Sequence, residues 1–220
     1  RGGNRWRRGA GARLPGRAPP AHPPTAGSAP WPPLPHPRTL DAMALPQVCV
    51  TYLLRDGADG LEVLLGRKRQ GLGVGKLVGL GGKLEPGEHP RRAAVREIEE
   101  ESGLYVDRGA LRHAGLLTYL FPTKPAWSQE SWVYLCREWI GEPEPSAELV
   151  PEWHAVSRVP YGEMWSDARH WLDAALAGAF VRRSFVFGAD LSTAVASDDP
   201  STGLPPVPPP GALGPLDGAM

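Results

Sequence analysis

The sequence has little cysteine, no long apolar run and no net charge, and each of these properties excludes a class of protein. Cys49 and Cys136, the only two cysteines, both lie in apolar segments, which favours buried reduced thiols over a disulfide. No apolar run approaches the roughly 18 residues that a transmembrane helix needs. With 24 basic and 24 acidic residues, the chain also lacks the basic excess of a dedicated nucleic-acid binder. We therefore expect a cytoplasmic protein whose partners include neither a membrane nor a nucleic-acid polymer; no oligomeric state is predicted.

Proline and charge are unevenly distributed and predict one folded domain between two tails. Residues 1–42 contain ten prolines, seven arginines and one aspartate, a composition typical of a disordered basic segment. We hypothesise that Met43 is the native start and that residues 1–42 are translated upstream sequence; a basic arm for nucleic acid or membrane is the alternative. Residues 43–188 predict the folded domain. Residues 189–220, with seven prolines and four aspartates, predict a disordered tail.

Hydrophobic patterning in the central region predicts a mixed α/β domain. Residues 47–54 and 61–66 predict a hairpin, and further strands are predicted at 76–80, 111–121, 131–137, 152–156 and 180–187. A helix is predicted at 90–102, beginning at Pro90 and stopping at Gly103. A second is predicted at 166–177, with Ser166 as its N-cap and Gly178 as its stop. This order of elements predicts a mixed sheet held between helices.

The predicted helix at 90–102 carries an unusual set of carboxylates. At about 100° per residue, Glu97, Glu100 and Glu101 fall within one narrow sector of the helix. These charges repel one another, and Glu100 and Glu101 lie at the end where the helix dipole disfavours negative charge. A bound divalent cation would relieve both penalties, and Mg²⁺ prefers carboxylate oxygens. The pattern therefore predicts a metal site.

The same stretch contains a motif of fixed spacing. Gly82 is followed after five residues by Glu88 and, after seven more, by REIEEESGL from Arg96 to Leu104. This pattern matches the Nudix box without a gap, so the chain resembles a Nudix hydrolase. The resemblance implies an α/β/α sandwich with a mixed sheet. It also implies hydrolysis, with Mg²⁺ or Mn²⁺ as cofactor, of a diphosphate linked to a further group.

The resemblance and the chemistry of phosphoryl transfer together suggest roles for the charged residues of the motif. Metal ions must neutralise the charge on phosphoryl oxygens, and the attacking water must be polarised. We expect Glu97, Glu100 and Glu101 to be metal ligands or, for one of them, to activate water. We expect Arg96 to orient the site by pairing with Glu88.

The glycines before the helix are expected to let the backbone approach metal and phosphate. Gly81 and Gly82 have no side chain to obstruct that approach, and the carbonyl of Gly81 is a candidate metal ligand. Lys83 could contact a phosphate, although a solvated surface lysine is the alternative.

Beyond the box, the chain is most similar to Nudix enzymes that hydrolyse oxidised purine nucleoside triphosphates such as 8-oxo-dGTP. The segment LLGRKRQGLGVG and the residues Trp165, Asp167 and Trp171 carry this similarity. It implies that Trp165 stacks on a base, that Asp167 reads the base edge and that Lys68 lies in the pocket. A core tryptophan, a first-turn helix acid and a surface lysine are the respective alternatives.

Three positions depart from that pattern. Val78 stands where these enzymes have a base-reading asparagine, Ala168 where they have a second aspartate, and Leu72 where they have a pocket phenylalanine. The chemistry is therefore better supported than the base. ADP-ribose or another nucleotide sugar is the alternative substrate, and a non-catalytic nucleotide-binding module is the alternative function. Because such modules usually lose box glutamates, and this chain keeps them all, the residues favour an enzyme.

Overall fold

The apolar segments of the chain form eight strands and two α-helices in a computed structural model, which describes residues 45–58 and 60–209. The strands are β1 (Gln47–Gly57), β2 (Gly60–Lys68), β3 (Leu77–Val78), β4 (Arg112–Leu120), β5 (Gln129–Cys136), β6 (Leu149–Ala155), β7 (Val181–Phe187) and β8 (Ala194–Ser197). The helices are α1 (Pro90–Ser102) and α2 (Leu172–Leu176). The predictions for residues 1–42 and Met43 lie outside the described residues.

All eight strands belong to one mixed sheet. Its order is β3-β2-β1-β5-β4-β7-β8, and β6 lies along β2. The pairs β1–β5 and β4–β7 are parallel, whereas the pairs β1–β2, β2–β3, β2–β6, β4–β5 and β7–β8 are antiparallel. The predicted hairpin of β1 and β2 and the predicted mixed sheet are confirmed.

Each face of the sheet buries a separate apolar cluster, because successive side chains of a strand point to opposite faces. On β1, Cys49 and Leu53 pack with Ile98 of α1 on one face. Tyr52 of the same strand packs with Leu172 of α2 on the other face. The protein is therefore an α/β/α sandwich, as predicted, although α2 is short.

Helix α1 has the predicted bounds because both of its ends carry clear signals. The side chain of His89 accepts a hydrogen bond from the Arg91 N–H, and Pro90 occupies the first turn. Gly103 ends the helix in the left-handed conformation, with φ 70°, and its N–H donates to the Glu99 carbonyl. Packing of Ile98 against the sheet fixes the rotation of the helix, which directs its acidic side chains to the adjacent glycine loop.

The prediction of one helix over 166–177 is wrong. Residues Ala168–His170 form a 3₁₀ turn, and α2 begins only at Leu172. The interruption occurs at Trp171, whose φ of −141° is far from helical, because its buried indole N–H donates to Asp167. Ser166 is not an N-cap; its hydroxyl accepts a hydrogen bond from the Ala194 N–H.

The prediction of a disordered tail does not describe residues 189–209. Strand β8 pairs with β7 and buries Ala194 and Ala196. Beyond it, the Ser197 N–H donates to the Pro205 carbonyl at 2.9 Å, and Ser197 forms a bridge with Pro206. The small residues of β8 are typical of a flexible tail in composition, but here they pair with β7 and form the edge of the sheet. The remainder, residues 210–220, lies outside the described residues.

Two further predictions concern the thiols and the membrane. Cys49 and Cys136 are both buried and unbonded, as predicted. Burial raises the pKa of both thiols, that of Cys49 to about 12. In the described part of the chain, no helix combines the length and the apolar character that membrane spanning requires. The cytoplasmic location stays a prediction.

Candidate active site

The glycine loop before α1 lies directly against two of its glutamates. The Gly81 N–H donates to Glu101 Oε2 at 2.7 Å. A Cβ atom at Gly82 would lie 2.5 to 2.7 Å from the carboxyl atoms of Glu97. A Cβ atom at Gly81 would overlap the backbone carbonyl of Cys49 on β1. Gly81 is therefore required for the loop to fit against β1, whereas a side chain at Gly82 would displace the Glu97 carboxylate.

Arg96 links the acidic residues of the motif. Its Nε and Nη2 donate to the two carboxylate oxygens of Glu88, at 3.2 and 3.0 Å, which is the predicted pair. Its Nη1 donates to Glu97 at 2.8 Å and to Glu100 at 3.0 Å. Nη2 also donates to the Lys83 carbonyl, at 3.1 Å. One guanidinium thus holds three carboxylates and the glycine loop in a fixed arrangement.

The three helix glutamates differ in their environments. Burial raises the pKa of Glu101 to about 7, against the opposing hydrogen bond from Gly81. Burial also raises the pKa of Glu97, against the opposing effect of Arg96. The side chain of Glu100, in contrast, is 59% exposed. The hydrogen bond from Arg96 lowers the pKa of Glu88. The site therefore contains two buried carboxylates that a neighbouring cation would stabilise.

The donor set fits a divalent metal ion by its chemistry. Carboxylate oxygens from Glu97, Glu100 and Glu101 are ligands that Mg²⁺ prefers, and the absence of a side chain at Gly82 leaves the Glu97 carboxylate its place against the glycine loop. Within residues 45–58 and 60–209, however, no three acidic, histidine or cysteine side chains converge on one point. Glu97 and Glu100 point to Arg96, and Glu101 points to the Gly81 N–H. Binding a metal would require these carboxylates to exchange partners.

A cavity of about 440 Å³ extends from the glycine loop across the α2 face of the sheet. Gly81, Gly82 and Lys83 line it at one end. Trp165 and Asp167, from the loop between β6 and α2, also line it. The fold therefore brings the predicted phosphate-contacting loop and the predicted base-contacting residues into one cavity, although more than 80 residues separate them in sequence.

Asp167 is the most unusual polar group of this cavity. It is 2% exposed, and its Oδ2 accepts hydrogen bonds from the Tyr119 hydroxyl at 3.0 Å and from the Trp171 indole at 2.8 Å. Its Oδ1 has no hydrogen-bond partner among the described residues. Burial raises its pKa. A buried carboxyl oxygen without a hydrogen-bond partner lowers the stability of the fold unless a ligand donates a hydrogen bond to it.

Trp165 lines the cavity and is held by an aromatic ring and a lysine. Its ring meets Phe187 edge to face at a centroid distance of 5.7 Å. The Lys76 ammonium lies 5.1 Å from the ring centroid, and a Cβ at Gly73 would approach the indole to 3.1 Å. These contacts fix the ring in one orientation, as a stacking platform for a base would require.

The remaining predicted binding positions also line this cavity. Lys68 and Leu72 do so from β2 and the loop that follows it, Val78 from β3, and Ala168 from the 3₁₀ turn. Val78 and Ala168 present only methyl groups. Neither side chain can therefore form a hydrogen bond with a molecule in the cavity.

Sequence reasoning missed two groups that act on the site. Glu148 lies close enough for its charge to raise the pKa of both Glu97 and Glu101. It stands in a polar turn, where a glutamate is unremarkable, and only the fold brings it near the motif. The hydroxyl of Tyr119, which holds Asp167, could have been suspected from alternation, since Leu117, Tyr119 and Phe121 share the cavity face of the sheet.

Comparison with known proteins identifies a consistent set of relatives. The NUDIX domain model matches residues 45–175. An oxidized purine nucleoside triphosphate hydrolase of Danio rerio is 37% identical over 110 residues, which cover 50% of this chain and 69% of that protein. The enzyme of the same name from Mus musculus is 34% identical over the same shares of the two chains. The solved structure of a MutT protein from Bacillus halodurans has the same fold, with a TM-score of 0.56, 22% identity and coverage of 70% of this chain and 96% of that one.

Proposed function

Because the chain belongs to the NUDIX family and is a Nudix hydrolase, we propose that it hydrolyses nucleoside triphosphates or related nucleoside diphosphate derivatives with Mg²⁺ or Mn²⁺. Oxidised purine nucleotides such as 8-oxo-dGTP are the leading substrates, by similarity to relatives that are named for that class. The products would be a nucleotide and diphosphate or phosphate.

One observation carries this proposal: a single cavity is lined by the glycine loop at one end and by Trp165 and Asp167 elsewhere. A nucleotide has the same two-part character, with anionic phosphates and a flat base that offers hydrogen-bonding groups at its edge. The glycine loop is beside the carboxylates of α1, so phosphates bound there would meet the reactive residues.

The proposed metal would be held by Glu97, Glu100 and Glu101, with the Gly81 carbonyl as a further candidate ligand. When bound, Mg²⁺ would neutralise phosphate charge and polarise water. Glu148 is a further carboxylate whose charge acts on this group, since it raises the pKa of both Glu97 and Glu101.

Three cationic side chains would position the carboxylates or the substrate without taking part in bond cleavage. Arg96 pairs with Glu88 through two hydrogen bonds, which holds the remaining carboxylates in register. Lys83 follows the glycine loop and lines the cavity, where its ammonium would attract a phosphate. Lys68 also lines the cavity and would add positive charge near the same end.

The base would stack on Trp165 and place a donor against Asp167 Oδ1. Stacking on an aromatic ring is worth about 1–3 kcal/mol and tolerates different bases. Each hydrogen bond to a base edge adds about 1–3 kcal/mol of discrimination, and Val78 and Ala168 can form none. We therefore expect this enzyme to prefer 8-oxo-dGTP over dGTP by less than about a thousandfold.

The methyl-lined wall formed by Val78 and Ala168 also favours a second candidate. If no purine edge is read there, the enzyme could act on ADP-ribose or another nucleotide sugar, where the metal and the phosphates dominate binding. The third possibility, a binding module without turnover, is disfavoured because all the box glutamates are present.

A substrate screen on the full-length protein tests these alternatives. The kcat/KM values for 8-oxo-dGTP, dGTP and ADP-ribose would be measured with Mg²⁺, with phosphate and diphosphate release followed separately and chelator as a control. Metal-dependent hydrolysis of the triphosphates supports the proposal. Turnover of ADP-ribose alone would support the second candidate, and nucleotide binding without turnover the third. A preference for 8-oxo-dGTP well above a thousandfold would contradict the argument from Val78 and Ala168.

A further inference from the structure

The loop that carries Trp165 and Asp167 is tied to the hairpin of β7 and β8. Between these two residues, the Ser166 hydroxyl accepts a hydrogen bond of 2.7 Å from the Ala194 N–H, at the start of β8. At the far end of the loop, Arg183 of β7 donates to the His170 carbonyl. The loop is therefore attached to the hairpin on both sides of Asp167.

The Ala194 N–H is well suited to hold this loop. Ala194 is 5% exposed, and a buried backbone N–H must find a partner. A register shift separates the β7–β8 pairs at Val186 and Phe187, so the ladder is irregular where Ala194 enters the strand. The partner of this N–H is a side chain outside the sheet, namely that of Ser166.

The hairpin that supplies this N–H is itself firmly held. In its turn, Asp190 accepts hydrogen bonds from the Ser192 and Thr193 N–H groups, each at 3.0 Å. The Gly188 N–H donates to the Thr193 carbonyl at 2.9 Å, which closes the turn. A segment with this many local hydrogen bonds can act as a rigid support for a neighbouring loop.

The same hairpin also contacts Trp165 directly and is anchored beyond β8. Phe187, paired with Ala194, packs edge to face against the Trp165 ring at 5.7 Å. Arg183, which holds His170, forms an ion pair with Asp199 just after β8. The position of the stacking ring thus depends on residues that follow the main body of the domain in sequence.

We propose that Ser166 is a positioning residue, through which the β7–β8 hairpin holds Trp165 and Asp167 in the geometry that receives a nucleotide base. Ser166 need not touch the substrate to have this effect. The inference rests on the proposed function, because it takes the base to lie against Trp165 and Asp167.

Full-length Ser166→Ala, Ser166→Thr and the control Ser157→Ala test this role. Ser157 is an exposed serine outside the cavity and the hairpin. The measurements are KM and kcat for dGTP with Mg²⁺ and, by calorimetry without metal, the Kd of dGMP. Loss of one positioning hydrogen bond should raise KM and the Kd of dGMP about fivefold or more, with kcat within about twofold. Ser166→Thr, which keeps the hydroxyl, should stay near wild type, as should Ser157→Ala.

Unchanged dGMP binding in Ser166→Ala would overturn the inference. A fall in the kcat of Ser166→Ala as large as its loss of dGMP affinity would also overturn it, as would an equal loss of dGMP affinity in Ser166→Thr. Asp199→Asn provides a second variant. It removes the charge that pairs with Arg183, which holds the His170 carbonyl, and it leaves the loop itself unchanged. It should also raise the Kd of dGMP. If the wild-type protein hydrolyses dGTP and binds dGMP but the variants match it, only the inference fails. If the wild type neither binds nor hydrolyses any nucleotide, the proposed function fails.

Discussion

Replacing Gly82 by alanine should damage the site far more than the fold. The added Cβ would lie 2.5 Å from Glu97 Oε1, whereas ordinary contacts begin at 3.4 Å. The Glu97 carboxylate must therefore move by about 1 Å, a displacement that can cost about a hundredfold in rate when the group takes part in catalysis. Since the obstructing atoms belong to the end of a flexible side chain, the cost in folding free energy should be about 1 kcal/mol or less.

Gly81→Ala is the matched comparison, because there the added Cβ meets the backbone carbonyl of Cys49, which cannot move without disturbing β1. We expect a clearly lower Tm for that variant but a nearly unchanged Tm for Gly82→Ala. Thermal unfolding and kcat/KM with Mg²⁺, measured on both proteins, separate the two effects. Wild-type kcat/KM in Gly82→Ala would refute the reasoning, since it would show that the position of Glu97 does not matter to the reaction.

Two other substitutions test the acidic groups. Glu100→Gln should lower kcat about a hundredfold or more if Glu100 holds a metal, while Tm holds or rises because repulsion between like charges on α1 is relieved. The exposed neighbour Glu99 provides the control, Glu99→Gln. Near-wild-type turnover of Glu100→Gln at saturating Mg²⁺ would remove Glu100 from the site. Asp167→Asn should alter the pH dependence of stability. Burial raises the pKa of Asp167 above its ordinary 3.8, so the unfolded chain releases this proton at a lower pH than the folded protein does. Wild-type stability therefore falls as the pH rises from about 3.8 to the folded pKa, and it stays lower above that pH. The difference in Tm between variant and wild type should therefore shift in favour of the variant across that window, and a constant difference from about pH 3 to about pH 7 would contradict this account.

The parts of the fold that local signals determine could be predicted from the sequence. Helix α1 has the predicted bounds because proline and glycine mark its ends, and the hairpin of β1 and β2 follows from two apolar runs around a turn. The pairing of Arg96 with Glu88 was also predicted from the sequence, because the motif places this arginine next to the carboxylates of α1.

The parts that depend on tertiary contacts could not be predicted in this way. Ser166 looked like a helix cap, but the distant Ala194 N–H uses its hydroxyl, and the buried Trp171 interrupts the helix. Strand β8 is too short and too rich in small residues to show a periodic pattern; pairing with β7 forms it. Glu148 likewise acquires its influence on Glu97 only through the fold.

The segment that follows β8 has a consequence for how these molecules meet one another in a concentrated solution. An uncovered edge strand offers N–H and carbonyl groups to which a second molecule can add a strand, and this is a common route to aggregation. Here the Ser197 N–H is already bonded to the Pro205 carbonyl, and Pro206 lies alongside. Because neither proline has an N–H group, the covering segment cannot itself donate to another chain at those positions. The proline-rich sequence after β8 thus ends the growth of the sheet and protects that edge from joining a neighbour.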